Sequence, residues 1–166
     1  KARWIWYPEG EPVRSAPAAT RWFRTRVTLP GDRSMVRARF VVGADDSFKL
    51  TVNGKPAGRG GSVRMPEVLH LDGALQAGEN EILIEARNAR TDAAGLIGTL
   101  RVDFIRGEPL VLATDGKWET AQAAGGPWTA ARELGAYGIQ PWGEAGFEEE
   151  HALPARMLRK EFEVGP

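Results

Sequence analysis

The sequence predicts an all-β domain, a two-layered sandwich of the jelly-roll kind, and three observations support this prediction. Many short stretches alternate apolar and polar residues, which is the two-residue period of a half-buried strand. Glycine is abundant, with 20 of 166 residues. Helical periodicity is almost absent, apart from a single turn at residues 73–77 and an ambiguous stretch at 129–134. Short strands separated by turn residues are typical of sandwiches.

The clearest strand signals lie in the first half of the chain. In residues 36–42, apolar side chains alternate with Arg37 and Arg39, and residues 48–52 alternate in the same way. Asn53-Gly54 follows directly and accepts the positive backbone angles of a type I′ turn. Residues 55–58 are therefore predicted to fold back as the second strand of a hairpin.

The remaining strands have weaker signals. Strands are predicted at residues 4–7, 22–29, 68–71, 81–87 and 96–105, with edge strands at 110–114 and 117–120. In 96–105 one predicted face is apolar and the other carries Arg101 and Asp103; the apolar face consists of Leu96, Leu100, Val102 and Phe104. Residues 107–146 are less regular, and their tryptophans are expected to close the open end of the sandwich.

The six tryptophans divide into two groups. Those that flank predicted strands are expected in the core, since large aromatic side chains are mostly buried; they are Trp4, Trp6 and Trp22. Those in irregular segments are better candidates for exposure; they are Trp118, Trp128 and Trp142. Trp142, between Pro141 and Gly143, is the first candidate for a ring near a binding site, although a lid over the core explains it equally well.

The two ends of the chain carry a related pattern. Residues 158–166 and 23–31 both place an apolar residue before an arginine, then alternate, and then reach a Pro and Gly pair. This repeat predicts the opening strand of a second β-domain. We expect residues 1–146 to form one sandwich and 147–166 to form a linker and the first strand of a following β-domain, so that the chain is one module of a larger protein.

Composition excludes several classes of function. The 22 basic and 22 acidic residues cancel, which is unlike the basic footprint of a nucleic-acid-binding protein. No apolar run approaches the ~20 residues that span a bilayer, so no membrane partner is expected. Cysteine is absent, which excludes disulfides and thiolate metal sites. No Ser or Cys nucleophile motif and no carboxyl pair suited to glycoside hydrolysis is recognisable, so the chain is not expected to be an enzyme.

Several segments together resemble a known family. Residues 4–10, residues 44–55 and the run from Leu75 to Ile84 are similar to the galactose-binding-like jelly rolls of glycoside hydrolases. Residues 133–143, Glu-Leu-Gly-Ala-Tyr-Gly-Ile-Gln-Pro-Trp-Gly, resemble the accessory domain that precedes the catalytic region of bacterial α-L-rhamnosidases. That family includes a calcium-dependent rhamnose-binding module. The resemblance implies a non-catalytic carbohydrate-binding module joined to a catalytic domain in the same polypeptide, and by analogy a secreted or periplasmic protein.

A cation site follows from the predicted strand directions and from the resemblance. If successive strands run up and down, the loops that hold Asp45, Asp46 and Asn88 lie at the same end of the sandwich. Calcium takes six to eight oxygen ligands, of which two such loops supply about half, leaving positions for sugar hydroxyls. The resemblance implies calcium ligands at Asp45, Asp46, Asn88 and the carbonyl of Ala93. It implies sugar contacts from Asp45, Asp46 and Asn88; Trp142 is added as the candidate ring, for terminal L-rhamnose or a similar sugar.

Two departures from the family pattern keep an alternative open. Ala93 stands where relatives usually have proline, and residues 58–64 read Gly-Arg-Gly-Gly-Ser-Val-Arg, without the tryptophan that relatives often carry there. The alternative is a structural accessory β-domain that packs on a catalytic domain and binds no ligand. In that case Asp45 and Asp46 only cap a turn through bonds to backbone amides. His70 and His151 have no metal-binding partners at a suitable spacing and are expected to be structural or solvated.

Overall fold

The computed structural model describes residues 1–62 and 64–144, and it confirms the all-β prediction. Two antiparallel six-stranded sheets form a sandwich. The strands are β1 Arg3–Trp6, β2 Ala19–Leu29, β3 Met35–Asp45, β4 Ser47–Val52, β5 Lys55–Gly60, β6 Glu67–His70, β7 Gly78–Asn88, β8 Gly95–Phe104, β9 Leu110–Ala113, β10 Glu119–Ala121, β11 Thr129–Ala130 and β12 Arg132–Ala136. Within the described ranges, no helix is long or apolar enough to cross a membrane.

Each predicted strand is present, with differences at its ends. The largest extensions, of three residues each, are at the start of β2, which begins at Ala19, at the end of β3, which continues to Asp45, and at the start of β7, which begins at Gly78. The ambiguous stretch at 129–134 forms strands β11 and β12 rather than helix. The predicted linker and following strand at 147–166 lie outside the described residues, so that division of the chain remains a prediction.

The sheet order brings the longest strands to the centre. The first sheet has the order β12-β1-β8-β3-β6, with β9 also paired to β8, and the second has the order β11-β10-β2-β7-β4-β5. The predicted hairpin joins β4 to β5. Its turn residues Asn53 and Gly54 have φ angles of 51° and 76°, as a type I′ turn requires.

The core lies between the two sheets. In β8, Leu96, Leu100 and Val102 are fully buried in this core, whereas Arg101 is exposed on the outward face. Ile97 neighbours Leu96 and therefore points to the other side of the sheet. There it joins Trp4 and Trp142 in a second, smaller buried cluster. The sandwich thus has a main core and an additional apolar layer on the outside of the first sheet.

The structure corrects three of the tryptophan predictions, those for Trp22, Trp118 and Trp142, the last of which is 8% exposed although an exposed position was predicted. Trp4 and Trp6 are fully buried, as expected, but Trp22 is only half-buried because it alternates with Phe23, which occupies the core position. Trp118 is 1% exposed, although an exposed position was predicted. Its Nε1 donates a 3.0 Å hydrogen bond to the carbonyl of Ala113, which satisfies the indole in the core. Trp128 is half-buried.

The two sheets are connected at one end by a single residue. Strand β3 ends at Asp45 in the first sheet, and β4 begins at Ser47 in the second. Asp46 therefore spans the gap between the layers. This crossover fixes the place where the candidate site lies.

Candidate functional site

A cleft of about 710 Å³ lies at the end of the sandwich where β3 passes into β4. Residues from well-separated parts of the chain line it, because the strand order brings their loops to the same end. Four of the lining residues are acidic and two are basic; they are Asp45, Asp46, Asp92 and Glu144, with Arg64 and Arg90. The cleft is thus polar and mainly acidic.

Asp46 joins the two loops that the sequence predicted to lie together. Its backbone N–H donates to the carbonyl of Arg87 at 2.7 Å. Its Oδ2 accepts a 2.7 Å hydrogen bond from the backbone N–H of Ala89. These two bonds flank Asn88 and hold the end of β7 against the crossover, so Asp46 and Asn88 do lie at the same end. The peptide bond between Asp45 and Asp46 is cis.

Asn88 lies below the surface rather than along the cleft. Its side chain is 1% exposed, and its Nδ2 donates to the carbonyls of Ala16 and Pro17, both at 3.2 Å. Its Oδ1 is buried and has no hydrogen-bond partner among the described residues. A buried acceptor without a partner is costly and uncommon. This oxygen is therefore free to coordinate a small ligand such as a cation. The Asn88 side chain is too deeply buried for direct contact with a bound sugar.

Asp92 has the same property, although the sequence did not single it out. Its Oδ1 is buried without a hydrogen-bond partner in the described structure, while its Oδ2 lies 3.6 Å from Arg90 Nε. Backbone bonds fix this segment: the carbonyl of Asp92 accepts from the N–H of Ala16 at 2.7 Å, and the N–H of Ala94 donates to the carbonyl of Pro12 at 2.9 Å. Between the two bonded residues lies Ala93, which lines the cleft; the calcium ligand that the resemblance implies at its carbonyl stays a prediction.

Trp142 belongs both to the cleft and to the outer apolar cluster. Its Nε1 donates a 2.9 Å hydrogen bond to Asp45 Oδ2. Its ring stacks on Trp4 with centroids 4.1 Å apart and an angle of 20° between the planes. The side chain is 8% exposed. Trp142 therefore lines the cleft and also packs in the buried outer cluster, while its contact with a sugar stays a prediction.

Gly95 makes this stacking possible. A Cβ at this position would lie 2.8 Å from Trp142 Cζ2 and 2.8 Å from Trp4 Cε3. These separations are shorter than van der Waals contact, so a larger residue would displace the rings. The Ala94-Gly95-Leu96 run after Ala93 is thus the surface on which the indole pair rests.

The electrostatics of the cleft centre on Asp45. Burial raises the pKa of the Asp45 carboxyl above its usual value of 3.8; the hydrogen bond from Trp142 opposes this, and the neighbouring Asp46 and Asp92 raise the pKa further. Like charges and an apolar setting both disfavour ionisation. Nevertheless, within residues 1–62 and 64–144 no three His, Cys, Asp or Glu side chains form a ready-made metal cluster. Any cation here would need amide and carbonyl oxygens as well.

The fold and the cleft define the class of protein: a β-sandwich of the galactose-binding-like, lectin-like architecture, with a polar cleft at one end. Comparisons with known proteins agree with this class. No protein-family model matches the sequence. The chain is 34% identical to an α-L-rhamnosidase of Streptomyces avermitilis, over 97% of the chain but only 17% of the enzyme. It therefore spans about one sixth of that relative.

Solved structures give the same result. The crystal structure of the S. avermitilis α-L-rhamnosidase complexed with L-rhamnose has a TM-score of 0.80 and 33% identity, covering 87% of this chain and 16% of the enzyme. The lectin of Pleurotus ostreatus in complex with GalNAc has a TM-score of 0.78 and 32% identity, covering 87% of this chain and 46% of the lectin. The resemblance to β-sandwich domains that accompany rhamnosidases is confirmed.

Proposed function

We propose that this chain is a non-catalytic carbohydrate-binding module of a rhamnosidase-like glycoside hydrolase, and that its cleft binds terminal L-rhamnose or a similar sugar with the help of calcium. One observation carries the proposal: Asp92, which lines the acidic cleft, and Asn88, which is buried at the same end of the sandwich, each have a buried side-chain oxygen with no hydrogen-bond partner in the described part of the chain. The similarity to an enzyme complexed with L-rhamnose and to a lectin complexed with GalNAc supports a sugar as the ligand.

The residues around the cleft fit calcium. This ion prefers carboxylate, amide and backbone carbonyl oxygens and tolerates irregular geometry. Asp45 and Asp46 would supply carboxylates, Asn88 its unpaired Oδ1, and Ala93 its backbone carbonyl. Asp92 adds a carboxylate that the sequence did not indicate. Burial, and after it the neighbouring Asp46 and Asp92, raise the pKa of the Asp45 carboxyl, and a bound cation would oppose this rise by favouring the carboxylate.

Asp46 and Trp142 would have different roles in binding. A bound calcium supplies a charge that attracts neighbouring hydroxyl groups of a sugar. Asp46 keeps the two loops together through its bonds to residues 87 and 89. Trp142 orients the Asp45 carboxylate through its Nε1 and would present an indole edge to the C–H groups of a sugar at the wall of the cleft, because its ring stacks on Trp4.

The attached partner and the location of the protein are part of the same proposal. The catalytic domain would lie elsewhere in the same polypeptide, since the chain corresponds to 17% of the related enzyme. The module would concentrate that domain on rhamnose-containing glycans outside the cytoplasm, in the periplasm or after secretion. Because the module would bind and not hydrolyse, the isolated chain is expected to release no sugar from an aryl rhamnoside.

A structural accessory domain remains the second candidate, and a specific observation favours it. Asp46 does cap the neighbouring loop through Ala89, and residues 58–64 contain no aromatic side chain. In this alternative the polar cleft faces the attached domain and binds neither cation nor sugar.

Calorimetry separates the two candidates. L-Rhamnose is titrated at millimolar concentration into the protein in calcium buffer and again after chelation, with L-fucose as the matched deoxy-sugar control. The proposal predicts heat of binding that is lost on chelation. Absence of heat in calcium at millimolar sugar, with the protein folded, would leave only the structural candidate.

A further inference from the structure

A second depression adjoins the cleft. It has a volume of about 620 Å³ and lies on the outward face of the second sheet. Gly61 lines both the cleft and this depression, so the two lie side by side at this residue. Together they form a groove that runs from the end of the sandwich onto the outside of the sheet.

Strand register places charged side chains along this groove. Arg87 on β7 is paired with Ser47 on β4 and with Thr20 on β2. In the next row, Lys49 is paired with Glu85 and with Arg59. The core residues Phe48 and Ala86 occupy the positions between these rows, so both rows face outward.

Two of these cations have no anionic partner among the described residues. Three basic and two acidic side chains line the depression, and Lys49 Nζ lies 3.7 Å from Glu85 Oε1. Among residues 1–62 and 64–144, no carboxylate forms an ion pair with Arg59 or Arg87, so these are the two cations without an anionic partner there. The backbone carbonyl of Arg87 accepts from the N–H of Asp46, so this arginine directly adjoins the cleft. A guanidinium presents two parallel N–H donors that match a carboxylate.

We infer that the cleft and the depression bind one oligosaccharide, and that the sugar next to the one held in the cleft is a uronic acid whose carboxylate binds Arg87 and Arg59. This inference rests on the proposed function, since the terminal sugar must first occupy the cleft. It extends that function from a single sugar to an acidic glycan. Ser47 and Thr20 supply hydroxyl groups beside the arginines, which are suited to the hydroxyl groups of the second sugar.

Calorimetry with three ligands tests the inference on the whole chain in calcium buffer. The ligands are L-rhamnose, a disaccharide in which rhamnose is linked to a uronic acid, and the same disaccharide after reduction of its carboxyl group. We expect the acidic disaccharide to bind about threefold to tenfold more tightly than the reduced one, which is the effect of one or two partly screened ion pairs. That preference should shrink as salt is raised.

Substitutions test whether Arg87 and Arg59 bind the carboxylate of the uronic acid. Arg87→Gln and Arg59→Gln should reduce or abolish the preference for the acidic disaccharide while leaving the affinity for L-rhamnose unchanged. Arg26→Gln is the matched control, because Arg26 is an exposed arginine of β2 that lies near Glu79 and does not line the groove. Equal affinity for the acidic and reduced disaccharides, with L-rhamnose still bound, would overturn this inference alone. Absence of binding by all three ligands would overturn the proposed function and the inference together.

Discussion

The indole Nε1 of Trp142 donates a 2.9 Å hydrogen bond to the Oδ2 of Asp45, joining residues 97 positions apart. The same indole stacks on Trp4, so the polar cleft and the outer apolar cluster share one side chain. The position of the Asp45 carboxylate is consequently fixed by packing on the outside of the first sheet. Four predictions on single residues follow from these contacts.

Trp142→Phe should weaken the site without unfolding the protein. The variant keeps an aromatic ring against Trp4 but loses the donor to Asp45, which costs about 1 kcal/mol of unfolding free energy. We expect a loss of calcium and rhamnose affinity of several-fold by calorimetry. Trp128→Phe is the matched control, because Trp128 contacts Arg24 on the second sheet and does not line the cleft. Equal affinities for the two variants would show that the bond to Asp45 has no role in binding.

Gly95→Ala should displace the stacked indoles. The added Cβ would overlap both rings, and such overpacking typically costs 1–3 kcal/mol, so we expect about 2 kcal/mol in chemical denaturation. Ligand affinity should fall together with stability, since Trp142 carries the bond to Asp45. Gly73→Ala is the control, because a Cβ there meets no atom within 4 Å. A Gly95→Ala protein with unchanged stability would contradict the tight packing described above.

Asp46→Asn separates the two roles of this residue. Asn keeps an oxygen that can accept from Ala89 N–H but removes the negative charge. If Asp46 is a calcium ligand, calcium affinity should fall about tenfold or more, since ligand charge sets the affinity of such sites, while the free energy of unfolding in chelator changes by less than about 1 kcal/mol. If Asp46 only caps the loop, Asn should leave calcium binding unaltered. Asp46→Ala should destabilise the protein in either case.

Asp45→Asn should stabilise the calcium-free protein at neutral pH. The pKa of Asp45 is raised above 3.8, first by burial, so the folded state holds this proton more tightly than the unfolded state. The stability of the calcium-free protein therefore falls as pH rises from 3.8 through the raised pKa, and the full cost is present above it. Removing the charge should recover about 0.5–1 kcal/mol at pH 7, after allowance for solvent screening, and nothing below pH 3.8.

Denaturation in chelator across pH, compared with Asp32→Asn, measures this effect. Asp32 is exposed in the connection between β2 and β3 and does not line the cleft. A stability gain for Asp45→Asn that persists below pH 3.8 would assign the effect to something other than ionisation. In calcium buffer the order should reverse, with the wild-type protein more stable because a bound ion stabilises the folded state.

Local patterns were sufficient to predict the fold and the common end of the sandwich that holds Asp46 and Asn88. The alternation of residues 36–42 and 48–52 and the Asn53-Gly54 turn set the strand directions, and these directions determine which loops meet. Alternation did not predict the start of β2, because a buried arginine interrupts the two-residue pattern of apolar side chains there. Arg21 is 8% exposed and forms bonds of 3.0 and 2.6 Å to Glu9, so a charged side chain lies on the same side of β2 as the core residue Phe23, where alternation predicts an apolar one.

The remaining details of the cleft depend on contacts between distant segments. Asp92 could not be selected from its neighbours in sequence, because its position depends on a backbone bond between residues 16 and 92. The burial of Trp118 likewise depends on its bond to Ala113 and on packing in a segment without regular alternation. The adjacency of Asp92 to Ala93 was the one sequence signal for its place in the cleft. The groove beside Gly61 could not be predicted from local sequence, because its side chains are brought together by the pairing of distant strands.

A crystal structure of the protein grown with calcium and L-rhamnose would show whether the cleft holds a cation and a sugar. We expect one ion at the cleft, at about 2.3–2.6 Å from its oxygen ligands, with Asn88 Oδ1 and a carboxylate oxygen of Asp46 among them, and with the sugar beside Trp142. A cleft without an ion, in which Asn88 Oδ1 accepts a hydrogen bond from water, would contradict this expectation.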